Sequence, residues 1–130
     1  MMPGMSNKNQ NTWTEMDTFP EVVSVQKQGH VLNLKIQVKP DLFQFRGHFP
    51  GQPILPGVAQ VDWVVRMFEK HFDYGSGYTK LGQLKFAKLI EAGAMLNLKL
   101  TLISDKRRVL FEFSNGPEIY SSGYLELPET

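Results

Sequence analysis

Alternation of apolar and polar residues is the feature that most restricts how this chain can fold. Leu32, Leu34, Ile36 and Val38 interleave with Asn33, Lys35 and Gln37, the two-residue period of a strand that buries one face and wets the other. Leu96, Leu98, Leu100 and Leu102 repeat the pattern, and Val109, Phe111 and Phe113 repeat it again, with Ser104-Asp105-Lys106 between the two runs as a hairpin turn. Glu21 to Gln28, turning at Gln28-Gly29-His30, gives a strand before these. Tyr78 to Ile90 and Glu118 to Leu127 give two more, with turns at Glu91-Ala92-Gly93 and Asn115-Gly116-Pro117. Half-buried strands of this kind build an antiparallel sheet.

One interior segment follows a different period. Val58, Val61, Val65, Phe68 and Phe72 step by three and four residues, which places them along one face of a helix opened by Pro56-Gly57 and followed by Gly75. Trp63, Val64 and Met67 add apolar surface beyond that stripe, so little of the helix is left for water. The order strand, strand, helix, four strands predicts an α+β fold in which an antiparallel sheet wraps around one long central helix.

At 130 residues the chain is one domain, large enough to bury roughly two-thirds of its unfolded surface. The polar stretch 1–12 reads as a flexible leader, and 13–130 as a single domain. The leader lacks the apolar core of a signal peptide and no apolar run is long enough to cross a bilayer, so the expected location is the cytoplasm. With no cysteine, disulfides, thiolate metal sites and cysteine nucleophiles are excluded. A net charge of +1 supplies no global field for nucleic acid or an anionic membrane, so a charged partner must be met by a local patch.

Chemistry concentrates in the loop before the helix, from Asp41 to Gly57, where Pro50, Pro53 and Pro56 recur every third residue. Each proline fixes its own φ and biases its predecessor toward extended backbone, so His48 enters a stiff path. The path ends at Gly57 and Val58, where helix N–H groups lack intrahelical partners and can meet a developing oxyanion; Gly57 also permits close approach of a ligand. Asp62 adds a carboxylate within an otherwise apolar helical stretch. Each element has an ordinary explanation. A lone loop histidine is usually structural, as His30 and His71 are read here, and Asp62 with Arg66 is a common i, i+4 pair. Their conjunction is what points to proton chemistry on a carbonyl compound.

The run Gly47-His48-Phe49-Pro50-Gly51-Gln52-Pro53-Ile54-Leu55-Pro56-Gly57-Val58, with Asp62 fourteen positions after His48, resembles the signature of the hot-dog fold 3-hydroxyacyl-acyl carrier protein dehydratases. Lys85 to Gly93 is similar to the family's strand after the helix, and Ser121-Ser122-Gly123-Tyr124-Leu125 to its last strand. The resemblance implies that His48 removes the C2 proton of the thioester and that Asp62 helps the C3 hydroxyl leave as water. It implies that the Gly57 N–H, with Val58 beside it, polarises the thioester carbonyl, and that the Ile54 carbonyl orients the imidazole. It further implies a homodimer with each site shared between subunits, an acyl carrier protein as the bearer of the substrate, and no metal or organic cofactor. Arg46, Lys85 and Lys88 are the cations placed to steer an acidic carrier, or else are solvated side chains.

Three departures from the family pattern stand out. The acid is Asp, as in the branch that also isomerises the double bond, rather than the Glu of general elongation dehydratases. Arg66 replaces the usual Gln four residues after it, and a permanent cation there favours an ionised acid, so Arg66 is expected to tune Asp62. Glu91-Ala92-Gly93-Ala94 replaces Pro-Gly-acid. These traits are most similar to stand-alone dehydratases of aryl polyene or other secondary lipid pathways. A hot-dog acyl thioesterase and a non-catalytic acyl-binding module remain as alternatives.

Overall fold

A computed structural model describes residues 18–42 and 54–129. The leader expected over 1–12 lies outside the described residues. Six strands form one antiparallel sheet: β1 (Glu21–Gln28), β2 (Val31–Gln37), β3 (Lys80–Phe86), β4 (Met95–Ile103), β5 (Arg108–Asn115) and β6 (Glu118–Glu126), in the spatial order β1-β2-β4-β5-β6-β3. The helix α1 (Gly57–His71) lies between β2 and β3 in the chain. A short 3-10 turn, Ser104–Lys106, joins β4 to β5 and closes on Arg107 in the left-handed region. This is the α+β architecture expected from the two periodicities.

One row of register partners crosses all six strands: Val25, Leu34, Leu98, Phe113, Ser121 and Phe86, with the four central members buried and the two at the sheet edges exposed. The helix lays Trp63, Val64, Met67 and Phe68 into the same core as the leucines of β2 and β4 and the phenylalanines of β5. Full burial of each such side chain stabilises the fold by about 1.5–3 kcal/mol. Lys70 in the last turn complements the negative end of the helix dipole.

Two boundaries differ from the sequence reading. The helix ends at His71, because Phe72 adopts an extended conformation (φ −124°, ψ 138°) while its N–H still caps the Phe68 carbonyl. The strand expected over Tyr78 to Ile90 is only Lys80–Phe86. Past Phe86 the chain leaves the ladder, and the N–H groups of Ala87 and Lys88 both converge on the Tyr120 carbonyl, at 2.9 and 3.1 Å.

Candidate active site

A groove of about 430 Å³ runs between α1 and β3. Its helical wall is Val58, Val61, Asp62 and Val65, and its strand wall is Leu81, Leu84 and Phe86, with Tyr78 and Gly57 completing the lining. Most of the apolar stripe read along the helix therefore faces this groove, while Trp63, Val64 and Met67 face the sheet. Val58 is 78% exposed and Phe86 49%, as befits a groove wall rather than a core.

A bulge sets the strand wall. Gly82 pairs with Tyr124 and Lys85 with Ser122, so Gln83 and Leu84 together oppose Gly123, and Gln83 takes a left-handed φ of 50°. The extra residue shifts the alternation, turning Leu84 and Phe86 into the groove and Lys85 out of it. Gly123 makes room for this, because a Cβ there would lie 2.7 Å from Leu84 Cδ2.

The start of α1 opens into the same groove. Pro56 provides no side-chain cap, and the first turn contains no acidic residue. The N–H groups of Ala59 and Gln60 bond the Pro56 carbonyl at 3.1 and 3.2 Å, whereas those of Gly57 and Val58 have no partner among the described residues. Two donors at the positive end of a helix dipole thus stand beside an apolar surface, an arrangement that stabilises negative charge on an oxygen. Gly57 lies against the Phe86 ring so closely that a Cβ would be 2.9 Å from Cζ.

Asp62 lies on the next turn with its side chain half exposed. Arg66 donates to its Oδ2 from Nε at 3.0 Å and from Nη2 at 2.7 Å. The same guanidinium reaches Thr18, at 3.2 Å to Oγ1 and 3.3 Å to the carbonyl, and lies 4.7 Å from the Phe19 ring centroid. Trp63 Nε1 adds a 2.8 Å bond to the Thr18 carbonyl. The cation expected to tune the acid therefore also fastens the segment before β1 to the helix, a connection over more than forty residues that no local pattern indicates.

Ile54 forms an isolated bridge with Glu91, and the Leu55 N–H bonds the Ile90 carbonyl at 2.8 Å. His48 and Arg46 lie outside the described residues. Of the other two cations singled out for docking, Lys85 is exposed and makes no ion pair among the described residues. Lys88 is held by both oxygens of Glu118 at 2.8 and 3.0 Å and lies 5.4 Å from the Tyr120 ring centroid. Its hydrogen bond to Glu118 outweighs the opposing desolvation and, with the charges of Glu118, Tyr120 and Glu91, holds its ammonium above the ordinary lysine pKa. Among the described residues no cluster of three His, Asp or Glu side chains is arranged to hold a metal ion.

The sequence reading assigned no site role to Gln60, Ser121, Leu84 or Phe86. For the last two a signal was present, since the spacing from Leu81 to Leu84 breaks the two-residue period.

Comparison with known proteins identifies relatives of this chain. The chain is similar to the 3-hydroxyacyl-[acyl-carrier-protein] dehydratase FabZ of Syntrophotalea carbinolica, with 37% identity over 89 residues covering 62% of this chain and 58% of that one. The FabZ of Desulfotalea psychrophila is 27% identical over 81 residues, covering 55% of this chain and 54% of that one. The chain thus spans a little over half the length of these two curated relatives. Among solved structures, a chain from the dehydratase heterocomplex ApeI:P of Xenorhabdus doucetiae superposes with a TM-score of 0.79 at 30% identity, over 85% of this chain and 98% of that one. Residues 24–124 match the family model described as ApeI-like, ApeI dehydratase, so the chain belongs to the ApeI-like dehydratase family.

Proposed function

We propose that the protein dehydrates a 3-hydroxyacyl thioester, delivered on the phosphopantetheine arm of an acyl carrier protein, to the trans-2-enoyl thioester. The observation that carries this reading is the placement along one apolar groove of a carboxylate, Asp62, and two helix N–H groups, those of Gly57 and Val58, that have no partner among the described residues. With the thioester oxygen near those N–H groups, charge that develops as the C2 proton leaves is stabilised where it forms. His48 is the base for that proton. Asp62 orients the C3 hydroxyl, which takes up the proton that His48 removed from C2 and departs as water with the C3–O electron pair while the C2–C3 double bond forms. The apolar walls accept the acyl chain and exclude competing water.

The homodimer also belongs to this reading, with His48 of one subunit serving Asp62 of the other. Half-exposed Phe86 and Leu84 beside the unpaired edge of β3 are the sort of surface a second subunit covers. The family match supports an aryl polyene or related secondary lipid setting for the substrate.

The test is turnover of a 3-hydroxyacyl thioester followed by enoyl absorbance. His48→Ala is expected to lower the rate by roughly two to four orders of magnitude. Asp62→Asn is expected to impair it as well, and mixing the two variants should restore part of it through hybrid dimers. Release of free thiol without enoyl product would instead identify a thioesterase. Substrate binding with neither product would identify an acyl-binding module.

A further inference from the structure

Two polar side chains, Gln60 and Ser121, are buried in the core, at 4% and 1% exposure. Gln60 lies on the sheet-facing side of α1, one turn before Val64, at a position where an apolar residue would pack without needing a partner. Ser121 is the one polar member of the register row that runs from Val25 to Phe86, and it is buried with Leu34, Leu98 and Phe113. Ser121 Oγ donates to Gln60 Oε1 at 2.6 Å, and Gln60 Nε2 donates to the Leu55 carbonyl at 3.3 Å. Buried amides and hydroxyls are costly unless bonded, so such a pair holds its geometry tightly.

The contacts form a closed circuit around the start of the helix. Gly57 lies against the Phe86 ring. Phe86 is the register partner of Ser121. Ser121 bonds Gln60, three residues after Gly57, and Gln60 bonds Leu55, two residues before it. The Leu55 N–H is in turn tied to Ile90.

We propose that Gln60 and Ser121 are positioning residues, a buried latch that holds the first turn of α1 and the Ile54–Pro56 approach against β6 and so keeps the Gly57 and Val58 N–H groups aimed into the groove. Neither side chain touches the groove; both act through the backbone they hold. The kinetic consequence rests on the dehydratase reading above, whereas the structural consequence does not.

The experiment measures amide hydrogen exchange in the full-length protein for wild type, Gln60→Met, Gln60→Glu and Ser121→Ala, together with kcat and KM for dehydration. In Gln60→Met and Ser121→Ala, exchange at Leu55, Ala59 and residue 60 should accelerate about tenfold or more, while the central amides of Leu98 and Leu100 keep wild-type protection. The expected kinetic effect is a fall in kcat of about ten- to a hundredfold with little change in KM, since misaimed donors cost the transition state more than the ground state. In Gln60→Glu the buried carboxyl can donate to Leu55 only while protonated, so activity should approach wild type at low pH and fall as pH rises, a dependence absent from Gln60→Met. The Gln60→Met and Ser121→Ala losses should not add when combined.

Unchanged exchange at the helix start, or equal acceleration at Leu98 and Leu100, would overturn the latch. So would unchanged kcat in an active protein. Failure of wild type to dehydrate would remove the dehydratase reading alone, and the exchange data would still decide the latch.

Discussion

Arg66 donates two hydrogen bonds to a single oxygen of Asp62, Oδ2, at 3.0 and 2.7 Å, and no bond reaches Oδ1 among the described residues. One oxygen is held by the protein and the other is available to a hydroxyl in the groove. An exposed i, i+4 pair contributes only about 0.3–0.5 kcal/mol, and the Phe19 contact about 0.5–1 kcal/mol. Arg66→Gln should therefore cost roughly 1 kcal/mol of stability, measured by denaturant midpoint, and lower kcat several-fold by loosening the carboxylate. Arg66→Lys should not recover either loss, because an ammonium lacks the planar fork that serves Asp62 and Thr18 together. Full recovery by lysine would show that charge alone matters here.

Gly57→Ala would place a methyl 2.9 Å from Phe86 Cζ. The ring tip is half exposed and can move, so the fold should lose no more than about 1 kcal/mol, within the range of ordinary substitutions. The displaced ring would narrow the groove beside the N–H donors. Turnover is expected to fall about tenfold or more with the melting temperature nearly unchanged. A large drop in melting temperature would mean that Phe86 is held rigidly.

Gln83 occupies the bulge of β3 at φ 50°, a region that disfavours side chains with a Cβ. Gln83→Gly relieves that conformation and is expected to stabilise the protein by up to about 1 kcal/mol. Gln83→Val should destabilise it by a similar amount, since a β-branched residue tolerates the left-handed region least. Equal melting temperatures for the two variants would contradict the geometry of the bulge.

Burial, with the neighbouring charges of Lys70 and Lys27, holds His71 below its ordinary pKa of 6.5. The unfolded chain therefore binds this proton more readily than the folded one. His71 costs no stability above about pH 6.5, where it is neutral in both states, and destabilises the fold progressively as pH falls through the window below that value. His71→Gln should flatten the decline in stability as pH falls below about 6.5. An unaltered slope would assign acid sensitivity to other groups.

Lys85 and Lys88 separate under charge reversal. Lys85→Glu should slow turnover of carrier-bound substrate, chiefly through association and in a salt-dependent way, while sparing a short pantetheine thioester. Lys88→Glu removes the pair with Glu118 and sets two carboxylates together, so its effect should appear in stability and equally on both substrates. A Lys85 variant impaired on both would place that lysine in folding rather than docking.

The periods of the sequence determined the elements of this protein. The alternating leucines of β2 and β4 could form only half-buried strands, and the three-four spacing from Val58 onward could form only a helix. The loop motif and Asp62 were legible as a candidate site for the same reason, since their chemistry lies in residue type and short spacing. Which helical face met the sheet was decided only in the tertiary structure. Val58, Val61 and Val65 are as apolar as Val64 and Met67, and periodicity does not distinguish a groove wall from a core. The same holds for Gln60 with Ser121 and for Arg66 with Thr18, partners far apart in the chain. Each of these is a polar residue whose placement makes sense only beside its partner, and that proximity exists only once the sheet has curled around the helix.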